Sequence, residues 1–139
     1  MAVSFPFKEE KSSIFGKIYR PIAQVAFKHD QLDIWRQIDM IIDTGADYTL
    51  LPRYFARLLG VNISTDCRVI ETQGVGGPGK VYLMKKEMSV RVGKYKRVIP
   101  LGFLDNDYIP PLLGRHQFLE TFRIVIENHI ILFDDPRKM

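Results

Sequence analysis

A single cysteine, Cys67, stands in the 139 residues, which excludes an internal disulfide; a lone thiol fits a reducing compartment and reads as a buried structural side chain. No apolar run approaches the roughly 18 residues a membrane-spanning helix needs. Met1 to Ser13 carries Lys8, Glu9, Glu10 and Lys11 where a secretory leader would be apolar, so the expectation is a cytoplasmic protein with no membrane partner. Charge of one sign is scarcely in excess. Twenty Lys and Arg against 16 Asp and Glu leave a net +4, scattered along the chain, and this argues against nucleic acid as a partner. The three histidines, His29, His116 and His129, lie far apart and match no zinc spacing, so neither metal nor cofactor is expected. Asp105-Asn106-Asp107 lacks the EF-hand spacing and reads as loop chemistry. The length leaves room for one domain, and a second catalytic domain is excluded. We read a single domain over 15–139 behind a partly ordered polar arm, 1–14, with order beginning near Phe15.

What the chain does contain is period-two alternation. Ala23, Val25 and Phe27 alternate with polar neighbours, His29-Asp30-Gln31 supplies a turn, and Ile34, Ile38, Met40 and Ile42 mark a returning strand. Trp35, on the opposite face of that strand, is expected to pack on a neighbouring strand. Met88, Val90 and Val92 repeat the pattern, Gly93-Lys94 turns, and Tyr95 to Leu101 returns; Arg123–Glu127 and Ile130–Phe133 form a last pair around Asn128-His129. Between these lies one helical signal: Pro52 at a first helical position, Tyr54, Phe55, Leu58 and Leu59 on one face, and Gly60 as a stop. The prediction is an all-β fold of hairpins with one or two short helices.

The chemistry centres on Ile41-Ile42-Asp43-Thr44-Gly45-Ala46-Asp47-Tyr48-Thr49-Leu50-Leu51, an apolar strand that enters a small-residue turn and leaves as an apolar strand. A carboxylate placed directly after such a run is brought close to the core, where it needs hydrogen bonds to remain charged. Thr44 can brace the turn through its hydroxyl, and Gly45 lets a backbone N–H approach the carboxylate with no Cβ in the way.

Thr72-Gln73-Gly74-Val75-Gly76-Gly77-Pro78-Gly79 is the one glycine-dense segment. It lacks the Lys-Ser/Thr ending of a phosphate-binding loop, and Lys80-Val81-Tyr82-Leu83 after it reads as a strand. A hairpin tip is the better account, either a mobile lid or a plain connector. Further on, Pro111-Leu112-Leu113 runs into Gly114-Arg115-His116.

Asp43-Thr44-Gly45-Ala46-Asp47 with Thr49-Leu50, and Leu112-Leu113-Gly114-Arg115 downstream, resemble the active-site strand and the second conserved motif of retropepsin-like aspartic proteases, the retroviral proteases and their cellular relatives. The resemblance extends over about Ile18 to Phe133. It implies a closed acid-protease barrel and hydrolysis of peptide bonds by water held between two aspartates. It makes Asp43 the catalytic residue, Thr44 and Gly45 its turn, and Ala46 and Asp47 substrate-binding positions. It pairs Arg115, after Gly114, with Asp47, and a partly buried Asp47 would be neutralised by a bidentate guanidinium. It makes Gln73, Gly74, Val75, Gly76 and Gly77 a flap over bound peptide. His116 departs from the Asp or Asn common after this arginine. One Asp-Thr-Gly cannot supply two aspartates, so activity implies a homodimer with one Asp43 from each chain and a peptide or protein as substrate. The alternative is a dimeric peptide-binding or regulatory domain of the same fold without turnover.

Overall fold

The computed structural model describes residues 2–74 and 77–138. The strands are β1 (Val3–Pro6), β2 (Lys8–Ser12), β3 (Gly16–Arg20), β4 (Ile22–Lys28), β5 (Trp35–Ile42), β6 (Thr49–Pro52), β7 (Cys67–Gly74), β8 (Gly77–Met84), β9 (Met88–Val92), β10 (Tyr95–Ile99), β11 (Leu101–Leu104), β12 (Leu112–Leu113), β13 (Arg123–Glu127) and β14 (Ile130–Asp134). Two one-turn helices, α1 (Phe55–Leu58) and α2 (Ile63–Asp66), interrupt them, so the fold is all-β as expected. Nine strands share one sheet in the order β10-β9-β4-β5-β12-β6-β11-β8-β7; the strands at its two ends, β10 and β7, are not paired with each other.

Alternation becomes packing directly. Ala23, Val25 and Phe27 on β4 and Val90 and Val92 on β9 are fully buried, and Ile38, Met40 and Ile42 on β5 join them, because side chains two apart share a face. Trp35 is half-buried and lies under the Arg91 guanidinium, 4.6 Å from its ring centroid, on the strand across β4. The last hairpin turns through Asn128 and His129 at φ 51° and 58°, the left-handed pair that a two-residue hairpin turn requires. His129 stacks between Tyr19 and Phe7, 4.4 and 5.5 Å away, and His29 accepts the Gln31 and Leu32 N–H groups at Nδ1; both are structural.

The amino-terminal segment departs from expectation. Residues 3–6 pair in register with β14, Val3 opposite Phe133, and complete a three-stranded sheet β1-β14-β13; residues 8–12 pair with β3 in a separate hairpin. Phe5 meets Phe133 edge-on at 6.0 Å, which joins this sheet to an aromatic core of Phe118, Phe122 and Phe133. Order therefore begins well before Phe15. The helix differs in its face: Ala56 and Leu59 are buried whereas Tyr54 and Leu58 are exposed, and Pro52 ends β6 and does not start α1. Gly60, at φ +71°, ends the turn as expected. Cys67 is buried, and burial with the nearby Asp66 and Asp30 carboxylates outweighs Lys85 to push its thiol up to about 11, so it is inert at neutral pH.

At the chain's end the Asp135 side chain, 1% exposed, is held by Arg137 at 3.2 Å and Arg97 at 2.8 Å. The Arg137 hydrogen bond, and then Arg97, keep this carboxyl well below the usual carboxylate range. A carboxyl lowered on folding stabilises above its unfolded value, near 3.9, and loses that contribution as pH falls towards its folded value. Asp135→Asn should therefore lower the melting temperature at pH 7, and the gap from wild type should narrow progressively below about pH 4. Melts from pH 7 to pH 2 check this; a gap that widens in acid contradicts it.

Candidate active site

Asp43 follows β5 directly. Its N–H donates to the Leu113 carbonyl at 3.1 Å, and the Ile41 N–H donates to Pro111 at 2.9 Å, so β12 runs parallel to β5 up to the turn. β12 also pairs antiparallel with β6, Leu112 opposite Leu50, and is thereby inserted between the strands that enter and leave the turn. The half-buried Asp43 carboxylate accepts the Gly45 N–H at Oδ1, 3.0 Å, and a Cβ on Gly45 would come within 3.3 Å of that oxygen. The Ala46 N–H closes the turn on the Asp43 carbonyl at 3.1 Å. One carboxylate oxygen is thus fixed by the backbone, and the other carries no hydrogen bond among the described residues. Thr44 is exposed, and its hydroxyl makes no hydrogen bond among the described residues; its carbonyl is what the protein uses.

Arg115 makes that contact. It donates from Nη1 to the Thr44 carbonyl at 2.9 Å and from Nη2 to Asp47 Oδ1 at 2.6 Å. The expected pairing is present in a different form: the guanidinium spans turn and carboxylate and is not bidentate on Asp47, whose side chain is 81% exposed and not partly buried. The reason lies in the backbone. The Arg115 and His116 N–H groups bond the Ala46 and Asp47 carbonyls, which holds the main chain in place and leaves the Asp47 carboxylate pointing outward. An exposed pair is worth at most about 1 kcal/mol and one hydrogen bond to a carbonyl about as much, so Arg115→Ala should cost about 1–2 kcal/mol and not the larger loss a buried orphaned charge would bring. Chemical denaturation checks this; a loss above about 4 kcal/mol would contradict the exposed geometry.

Gly114 is where the two motifs touch. A Cβ there would lie 2.7 Å from Tyr48 Cα and closer still to the Tyr48 carbonyl group. Its N–H donates to Thr49 Oγ1 at 3.2 Å, and Thr49 is fully buried. Sequence reasoning assigned Thr49 no role, although a hydroxyl residue amid Leu50 and Leu51 is a signal that a buried donor needs an acceptor. It also missed Gln117, at φ 59°, whose side-chain amide donates to Glu87 Oε2 at 2.6 Å and the Val98 carbonyl at 2.7 Å. Beyond Arg115 the chain enters a 3₁₀ turn, Leu119–Thr121, rather than an α-helix. Burial together with the Asp47 charge raises the Tyr48 hydroxyl above its ordinary value.

The glycine segment forms a hairpin: β7 and β8 pair from Cys67↔Met84 to Gly74↔Gly77. Gln73, Gly74 and Gly77 belong to it, whereas Val75 and Gly76 lie outside the described residues. Among the described residues no group of three or more His, Cys, Asp or Glu is placed to hold a metal ion, and no helix is long and apolar enough to cross a membrane. Asp105 pairs with Arg53 at 3.4 Å and Asn106 accepts the Tyr108 N–H, in keeping with loop chemistry.

A family model described as aspartyl protease matches residues 27–116, a span holding Asp43, the glycine hairpin and Arg115. The chain belongs to this family. Its fold is retropepsin-like, as two solved structures show. A retropepsin-like aspartic protease from Rickettsia conorii aligns at TM-score 0.63 with 17% identity, over 95% of this chain and 98% of that one. The EIAV protease complexed with the inhibitor HBY-793 aligns at TM-score 0.51 with 20% identity, over 69% and 82%. At these identities the likeness is one of fold. No curated protein matches.

Proposed function

We propose that this aspartyl protease is an endopeptidase that works as a homodimer, each subunit contributing one Asp43. The observation that supports this most is the Asp43 turn itself: a carboxylate held by the Gly45 N–H and backed by β12, with one oxygen left without a hydrogen bond among the described residues. One chain contributes one such group, and acid–base hydrolysis of an amide asks for two. In the pair, the ionised carboxylate takes a proton from water, whose oxygen attacks the peptide carbonyl carbon. The protonated carboxyl gives its proton to the carbonyl oxygen. Collapse of the tetrahedral intermediate breaks the C–N bond, and the nitrogen leaves as an amine with a proton returned by the pair. Ala46 and Asp47 would line the bound peptide, and the β7–β8 hairpin, which holds Gln73, Gly74 and Gly77, would close over it.

A mass-spectrometric scan of a peptide library at several protein concentrations, beside sedimentation, tests this reading. Specific activity should fall on dilution, as dimers dissociate, and trace a bell-shaped pH profile, since the pair works with one proton between two carboxyls. Full activity, strictly proportional to protein, from a species that sediments as a monomer would overturn it.

A further inference from the structure

Next to the Asp43 turn lies a cavity of about 340 Å³. Its wall is apolar: the half-buried Tyr48 ring, Leu83 on β8 and Pro100 between β10 and β11. Tyr48 is fixed there, because it packs so closely on Gly102 that a Cβ on that glycine would come 3.0 Å from the ring. Leu83 belongs to the hairpin proposed as the flap, so one cavity joins the active-site turn to the base of that hairpin. The rim is formed by Asp47 and Glu120, with Arg115 and His116 beside them.

The bonding of that rim is asymmetric. Arg115 spends Nη1 on Thr44 and Nη2 on Asp47 Oδ1. Glu120 Oε1 accepts the Gln117 N–H at 3.1 Å and lies 3.5 Å from His116 Nδ1. Asp47 Oδ2 and Glu120 Oε2 accept nothing among the described residues. Arg115 keeps N–H groups of its own, but Asp47 offsets its charge, so the carboxylate left without a paired Lys or Arg on the rim is Glu120, above a wall that suits a methylene chain. Lys and Arg have this shape, an apolar stem with a charged donor at its end.

We infer that this cavity is a substrate side-chain subsite selective for lysine or arginine, with Glu120 as its specificity-determining residue. The inference rests on the endopeptidase reading for its place in the reaction, but the cavity itself belongs to one subunit. In the proposed homodimer, two-fold symmetry would give one copy on each side of the scissile bond.

The test uses one cleavable peptide carrying Lys, norleucine or Glu at each position in turn. In wild type, Lys should exceed norleucine in kcat/KM at one position on either side of the bond by about two- to fivefold, as suits solvent-exposed ion pairs. Glu120→Gln, which keeps an acceptor for the Gln117 N–H, should abolish that ratio, and Glu120→Lys should turn it towards Glu. Leu83→Trp, which fills the cavity, should lower cleavage of every long side chain at that position. The same peptides are titrated against Asp43→Asn, with and without Glu120→Gln, by fluorescence anisotropy. Cleavage with no Glu120-dependent preference at any position overturns the subsite. Glu120-dependent binding of the Lys peptide without cleavage by wild type supports the subsite and overturns the endopeptidase reading, and absence of both overturns both.

Discussion

Asp43→Asn should lower peptide cleavage by about 10²- to 10⁴-fold, the usual contribution of a positioned acid–base group, while leaving the melting curve in place. The two halves of this expectation come from the same geometry. Asn keeps an oxygen where Asp43 Oδ1 accepts the Gly45 N–H, so the turn retains its hydrogen bond. No ion pair to Asp43 is present among the described residues, so removing its charge orphans no partner. What is lost is the ability to take a proton from water. Circular dichroism melts and cleavage rates on the same preparation check both halves; a normal rate would remove Asp43 from the chemistry, and a collapsed fold would show that the carboxylate is structural.

Gly114→Ala should be the most damaging glycine-to-alanine change among the described residues, at about 3 kcal/mol or more. Most overpacked sites recover by side-chain movement and cost about 1–3 kcal/mol, but here the obstacle is the Tyr48 main chain, which cannot rotate away. Relief requires β12 to move from β6, and that strains the Gly114–Thr49 and Asp43–Leu113 hydrogen bonds together. Activity should therefore fall even at temperatures where the variant is folded, because the strand that backs Asp43 is displaced. Denaturant unfolding and kcat on the folded fraction check this. A variant as stable and active as wild type would show that the two motifs are not in hard contact.

The parts of this architecture that could be read from the sequence are those whose physics is local. The turn at Asp43 was legible because an apolar run, a carboxylate and a glycine occur in immediate succession, and the β4–β5 and β9–β10 hairpins because their alternation maps onto one buried face. The amino-terminal strands were not, since what orders Val3–Pro6 is a partner at the other end of the chain, and Lys8–Ser12 shows only charge until Glu10 meets Arg20 at 2.8 Å. The exposure of Asp47 was hidden for a similar reason. Its neighbours suggest a buried wall, but the backbone bonds of Arg115 and His116, which follow β12 much later in the chain, decide where its carboxylate points. One-turn α1 offered too few residues for its apolar face to be read: Leu59 turned inward as expected, but Ala56 joined it while Tyr54 and Leu58 stayed exposed.

A working unit that needs one Asp43 from each of two chains is tested by mixing subunits. Wild type and Asp43→Asn are co-refolded at constant total protein so that subunits assort at random, and cleavage is followed against the wild-type fraction. If only dimers with two intact aspartates cleave, activity should fall as the square of that fraction, to about a quarter at equal parts. Activity falling in simple proportion, to about half at equal parts, would contradict the shared site and assign catalysis to the single chain.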